Sequence, residues 1–261
     1  MSLLLSLLTA HFVSDFLLQS GFREERKGIY ALWHASITGG AVFVCLLLFE
    51  KSVHVGLPLP AIGGTALLIA LLHGAQDRAV LLLQARTRGK LSNLARLLGD
   101  QGLHILVLIG AAYVLSASEG AVTASTHNNA VRIDVIFGAI LLLALGTGGA
   151  AVLIAYLLEP FRRQVEPVDD EASGNMAKAG LWIGLCERFL LIVVIASGSE
   201  VFSSVGLVMA AKSIFRFREL DERSKAEYYL LGSLMSACVA VIVGLGLRVL
   251  GIPVLVAGEL I

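Results

Sequence analysis

Residues 29–49 read Ile29-Tyr-Ala-Leu-Trp-His34-Ala-Ser-Ile-Thr38-Gly-Gly-Ala-Val-Phe-Val-Cys45-Leu-Leu-Leu-Phe49, with no Asp, Glu, Lys or Arg among them. A bilayer core about 30 Å thick is crossed by about 20 apolar residues of helix, so this stretch is long enough to span it. A helix also satisfies its own backbone N–H and C=O groups, which lipid cannot do. The stretch predicts a transmembrane helix that carries one ionisable side chain, His34, into the span.

The pattern recurs on both sides. Apolar runs lie near 3–18, 59–83, 101–118, 133–158, 179–197, 201–217 and 228–250. With the quoted stretch they predict an all-α, polytopic transmembrane helix bundle of about eight spans. The first run is short and polar and needs neighbours. The sixth and seventh, separated only by Gly198-Ser199-Glu200, would also fit a re-entrant hairpin.

Composition agrees. The 261 residues are 57% hydrophobic and 15% charged, against about 25% charged in soluble domains, and the mean hydropathy is +0.83. Lys plus Arg and Asp plus Glu balance at 20 each, which leaves no basic surface for nucleic acid. Lipids are the partners this composition implies, and oligomeric state is not legible in it. Cys45, Cys186 and Cys238 sit apart in apolar runs without a CxxC spacing and read as small hydrophobes. The start, Met1-Ser-Leu-Leu-Leu, has no basic residue ahead of its apolar stretch and does not read as a cleaved signal.

Loop charges set the orientation, because Lys and Arg are enriched on the cytoplasmic side. Arg23, Arg26 and Lys27 lie in the first loop, Arg86, Arg88, Lys90 and Arg96 in the third, Arg162, Arg163 and Lys178 in the fifth, and Lys212, Arg216, Arg218, Arg223 and Lys225 in the seventh. The even loops carry little beyond Lys51 and Arg132. Both termini are therefore expected on the non-cytoplasmic side. Residues 123–129 read as an exposed outer loop, and His54 and His127 fall in outer loops. The polar insert 159–178 reads as a cytoplasmic linker between an N-terminal membrane half, 1–158, and a C-terminal half, 179–261.

An ionisable group at the centre of a span costs about 2.5–3.5 kcal/mol on insertion scales, so each asks for a reason. The first half has His11, Asp15, His34, His73, Asp77, Asp100 and His104. Three of its segments carry a His and an Asp four residues apart, on one helical face. All seven fall within about 15 Å of the expected cytoplasmic helix ends. Four helices would bring them into one layer. Imidazole with carboxylate suits a divalent transition metal, zinc first, with iron or manganese as alternatives. Seven candidates exceed the four of a closed zinc site, which fits one metal with outer acids or a two-metal site with an open position. Gln19, Gln76 and Gln101 lie close by as hydrogen-bond partners.

The residues His11-Phe-Val-Ser-Asp15-Phe-Leu-Leu-Gln19, His34, His73-x-x-x-Asp77 and Asp100-Gln101-x-x-His104 resemble a bacterial membrane family catalogued as domain of unknown function 3307. Longer members carry a second half that Gly184-Leu-Cys-Glu187-Arg188, Ala211-Lys212-Ser213-Ile-Phe-Arg216-Phe and Glu227-Tyr228-Tyr-Leu-Leu-Gly232 resemble. The resemblance implies a bacterial inner-membrane protein and assigns no reaction. In that family a second histidine often follows the one matched by His34 after one turn; here Thr38 stands there.

In the second half, Glu187 and Arg188 are adjacent and point about 100 degrees apart, so each needs another partner. Lys212 and Arg216 lie one turn apart at the membrane edge, where they either snorkel or clamp an anionic head group. Gly180-x-x-x-Gly184 and Gly232-x-x-x-Ser236 have helix-packing spacing, and Gly146, Gly148 and Gly149 suggest a kink or close contact.

Two functions fit. The first is a membrane-embedded, metal-dependent hydrolase near the cytoplasmic face, acting on a lipid-like or anionic membrane-proximal substrate. The seven His and Asp residues would supply ligands, Asp15 and Asp100 the general base, and Glu187, Arg188, Lys212 and Arg216 substrate binding. There is no HExxH, so a zinc protease of that type is not supported. The alternative is a divalent-cation or proton transporter using the same layer, which the nearly uncharged outer halves of the spans weaken.

Overall fold

Every regular element among the described residues is helical, as internal satisfaction of the backbone in lipid requires. The computed structural model describes residues 2–18, 27–86, 92–116, 124–165, 171–197 and 223–251. Helices long and apolar enough to cross a membrane occupy Ala31–Val53, Leu59–Leu83, Asn93–Ser116, Val131–Arg162 and Ala226–Val249. The chain is an all-α, multi-pass membrane helix bundle. The expected span at 201–217 lies outside the described residues. The chain divides into two units, Met1–Ala144 and Leu145–Ile261.

In the first unit α1 (Ser2–Val13), extended by a π turn over Ser14–Leu18, packs against α2 (Lys27–Val53), α4 (Asn93–Ser116) and α5 (Ala124–Ala144). The short first helix is thus surrounded, as its polarity demands. Its hydroxyls bond backbone carbonyls: Ser6 donates to Leu3 O at 2.7 Å, and Thr9 Oγ1 lies 2.8 Å from Leu5 O and 3.0 Å from Phe137 O of α5. Below them Leu7, Val42, Leu46, Ile62, Leu108 and Phe137 form a core from all five helices. Large apolar side chains such as Leu67, Leu71, Leu106 and Val114 face outward, which is the arrangement lipid stabilises and water would not.

The α2 and α3 (Leu59–Arg86) helices form a tight hairpin. His54 takes a left-handed conformation (φ 55°) that ends α2, and the Glu50 carboxylate accepts the Gly56 and Leu57 N–H groups at 3.1 and 3.0 Å. The helices then approach through small residues. A Cβ on Gly39 would lie 2.8 Å from Ala70 Cβ and 3.3 Å from Ala66 O, and one on Gly74 would lie 3.2 Å from Ala35 Cβ. These contacts flank His34 and His73. Gly39→Ala is expected to lower the midpoint of unfolding in detergent through overpacking of about 1–3 kcal/mol. Gly40→Ala, whose Cβ would meet nothing within 4 Å, should leave the midpoint in place or raise it, as helix propensity favours Ala over Gly.

The second unit holds a π turn over Leu145–Gly149, α6 (Ala150–Val165), α7 (Glu171–Ser197) and α8 (Arg223–Val249). Ala150, Ile154 and Leu158 pack with Tyr228, Met235 and Val239. The close contact expected of Gly146 is present: a Cβ there would lie 2.8 Å from Val243 Cγ2 and 3.2 Å from Ile192 Cδ1.

One expectation is corrected. Residues 123–129 are not a loop from Ala124 onward, because α5 begins there. The insert 159–178 is helical over Glu159–Val165 and from Glu171, with Pro160 inside α6. A polar sequence marks where a helix leaves lipid and does not by itself end it.

Candidate metal centre

Four helices of the first unit deliver the His and Asp side chains to one end of that unit. His11 and Asp15 come from the C-terminal end of α1, His34 from the N-terminal part of α2, His73 and Asp77 from the C-terminal part of α3, and Asp100 and His104 from the N-terminal part of α4. Alternating helix direction brings these ends together. All four histidines are buried. Asp15 sits on the π turn, a local widening of the helix frequent at functional sites. His73 is central, its ring centroid lying 4.7 Å from that of His34, 4.2 Å from His104 and 5.4 Å from His11.

The donor atoms converge at the spacing of a coordination sphere. His34 Nε2 and His73 Nε2 are 2.8 Å apart. Asp15 Oδ1 lies 3.2 Å from the first and 3.5 Å from the second, and Asp77 Oδ2 lies 3.9 and 3.7 Å from them. Tetrahedral zinc with bonds of about 2.0–2.1 Å to nitrogen or oxygen separates its ligand atoms by about 3.3–3.4 Å. The observed distances bracket that value. Further groups that meet the requirement of mutually close ligand atoms are His11 with Asp15 and His73, and Asp77 with Asp100 and His104.

The surrounding hydrogen bonds fix which atoms carry lone pairs. Gln101 Nε2 donates to Asp15 Oδ2 at 3.2 Å, so its Oε1, 3.2 Å from His11 Nε2, accepts that ring proton. His11 Nδ1 is then the bare nitrogen, 3.6 Å from Asp15 Oδ1. His104 Nδ1 donates to the Asp100 carbonyl oxygen at 2.9 Å, which leaves Nε2, 3.6 Å from Asp77 Oδ1, as the nitrogen available to a cation when the ring is neutral. In the neutral rings these nitrogens face carboxylate oxygens with lone pairs on both sides, an arrangement that a cation between them would stabilise. Ser14 and Thr38 support the layer from behind. The Thr38 hydroxyl lies 3.0 Å from Ser14 Oγ and 3.1 Å from His34 O, and Ser14 donates to His11 O at 2.8 Å. Thr38 thus braces the helix positions of His11 and His34.

Several buried polar atoms are unsatisfied: Gln76 Oε1, Asp100 Oδ1 and His104 Nε2 have no hydrogen-bond partner among the described residues. The two oxygens are acceptors, and so is the His104 nitrogen in the neutral ring. A small cavity is lined by His11, His73, Gln76 and His104 together with apolar Ile69 and Leu108.

The sequence reading singled out these seven residues and Gln101. It did not single out Ser14, Thr38 as a brace, or the small residues of α2 and α3; the four-residue spacing of Ala35 with Gly39 and of Ala66, Ala70 and Gly74 was the available signal. In the second unit Arg188 is buried, its Nη1 reaches Ser236 Oγ at 3.4 Å, and its Nε has no partner among the described residues. Glu187 is half-buried on the same helix. Lys212, Arg216 and Gln19 lie outside the described residues.

Residues 3–132 match the family described as protein of unknown function (DUF3307), a span that includes all seven His and Asp positions. No curated protein and no solved structure matches the chain. The chain belongs to the DUF3307 family.

Proposed function

We propose that this member of the DUF3307 family is a membrane-embedded, metal-dependent hydrolase acting on a lipid-like or anionic membrane-proximal substrate. The observation that carries the proposal is the convergence of His34 Nε2, His73 Nε2, Asp15 Oδ1 and Asp77 Oδ2 at 2.8–3.9 Å, next to a cavity lined by two further histidines, His11 and His104. A divalent ion held there, zinc in the first instance and iron or manganese otherwise, would supply Lewis acidity and make water nucleophilic at neutral pH.

The chain's own groups divide the remaining work. Gln101 orients both His11 and Asp15 through its amide, as outer partners of metal ligands do. Asp100 and Asp15 are the candidates to accept a proton from the attacking water, each through a carboxylate oxygen that an ion does not occupy. Ile69 and Leu108 keep the cavity wall apolar, which strengthens each electrostatic contact inside it. Arg188, and with it Glu187, Lys212 and Arg216, are proposed to bind the anionic part of the substrate. The alternating loop charges support eight spans, both termini on the non-cytoplasmic side of the bacterial inner membrane, and a site near the cytoplasmic face.

Protein stripped with a chelator and reloaded with zinc or manganese is expected to hydrolyse lipid in vesicles containing phosphatidylglycerol, with products identified by mass spectrometry. The stripped protein and Asp100→Asn should not. Bound metal without hydrolysis, combined with zinc flux into proteoliposomes that disappears in His11→Ala, would assign the layer to transport instead.

A further inference from the structure

The two oxygens of Asp77 face different groups of donors. Oδ2 lies 3.9 Å from His34 Nε2 and 3.7 Å from His73 Nε2, whereas Oδ1 lies 3.6 Å from His104 Nε2. A carboxylate with donors gathered on each of its oxygens is the geometry of a bridge. On the first side, Asp15 Oδ1 completes the set with the two histidines. On the second side, Asp77, Asp100 and His104 each offer an atom within mutual ligand distance.

The second side has its own reason to hold a cation. His104 is 2% exposed. Its Nδ1 is committed to the Asp100 carbonyl oxygen, and its Nε2 is buried with no hydrogen-bond partner. Asp100 Oδ1, 3.5 Å from His104 Nδ1, is buried without a hydrogen bond as well, and so is Gln76 Oε1 on the same cavity as His104. With the His104 ring neutral, these are three acceptors without hydrogen-bond donors, a set that a positive centre would satisfy; an acceptor left unpaired costs about 1–3 kcal/mol.

Charge points the same way. With the three acids ionised and the four imidazoles neutral, as metal ligation requires, the layer would carry −3. One divalent ion leaves −1 inside a desolvated layer. Two leave +1, which suits an anionic substrate.

We infer that the layer holds two divalent metal ions bridged by Asp77, one bound by Asp15, His34 and His73, the other by Asp100 and His104. This rests on the metal reading above and adds the number of ions and the bridge. The second ion has fewer protein ligands and adjoins the cavity, so its site is the one with positions open to water and substrate; His11 stands beside the first ion with its bare Nδ1 toward Asp15. Carboxylate-bridged ions lie about 3.5–4 Å apart in two-metal hydrolytic sites.

The test loads the full chain, stripped and repurified in detergent, with manganese and with zinc, and measures bound metal by elemental analysis. The expected result is about two equivalents in the wild type and about one in His104→Ala, with an exchange-coupled paramagnetic resonance spectrum for the manganese form. Should His104→Ala fail to fold, Asp100→Asn is isosteric and is expected to reduce the second equivalent, and the wild-type spectrum decides independently. One equivalent with an isolated-ion spectrum overturns the two-ion inference and leaves the metal reading standing. No bound metal overturns both. Two equivalents that survive both variants overturn the assignment of the second ion to His104 and Asp100.

Discussion

Replacing His73 with alanine is expected to abolish metal binding, taking the bound metal of purified protein below about 0.1 equivalent after dialysis against buffer. No other side chain lies against so many of the site's donors. Its Nε2 is 2.8 Å from His34 Nε2, 3.5 Å from Asp15 Oδ1 and 3.7 Å from Asp77 Oδ2, and its ring touches those of His11, His34 and His104. Loss of a mere outer partner weakens metal binding by about 10–100-fold; loss of this ligand should exceed that range. His54→Ala is the matched control, since His54 ends α2 at the far side of the hairpin. Full metal content in His73→Ala would sink the assignment, provided helicity and elution volume match the wild type. Metal absent from wild type and variant alike would remove the metal from the proposal altogether.

Gly244→Val is expected to break the second unit without reference to any metal. A Cβ at position 244 would lie 2.7 Å from Ile195 Cβ, 2.8 Å from Ile195 Cγ2 and 3.2 Å from Ile192 O. The first is a rigid branch point and the last is backbone, so no flexible side-chain tip can move aside. Overpacking costs about 1–3 kcal/mol where the core can relax, and here α7 and α8 must separate, so the cost should lie at or above the top of that range. The variant should lose its monodisperse peak in detergent and become protease-sensitive around α7 and α8. Gly110→Val, whose Cβ would meet nothing within 4 Å, should behave as wild type. Equal stability of the two variants would show that α7 and α8 do not approach as closely as described.

The helical, membrane-spanning character of the chain was legible because it depends on a local quantity, the length of each apolar run compared with the thickness of a bilayer. The His and Asp residues were legible for a related reason. Helical periodicity put His73 with Asp77 and Asp100 with His104 on common faces, and the distance of each pair from a charged loop fixed its depth along the helix. Neither inference needed any knowledge of which helices are neighbours.

Other features were open to a local reading and were still missed. Residues 124–129 were read as loop because they are polar, yet α5 begins at Ala124; helix ends follow backbone hydrogen bonding, which continues past the edge of the apolar run. The small residues Ala35, Gly39, Ala66, Ala70 and Gly74 carried their spacing in the sequence. Their significance came from partner identity, which spacing alone does not supply.

The sequence by itself determined that the chain crosses a membrane as helices and that seven ionisable side chains lie at one depth of four of them. Only the tertiary structure decided that Asp77 turns one oxygen toward His34 and His73 and the other toward His104, that Gln101 ties His11 to Asp15, and that His104 Nε2 is buried without a hydrogen bond among the described residues. The physical reason is that depth and face follow from a helix's own repeat, whereas donor-to-donor distances depend on how closely and at what rotation separate helices pack. Here small residues such as Gly39 and Gly74 set that approach between α2 and α3.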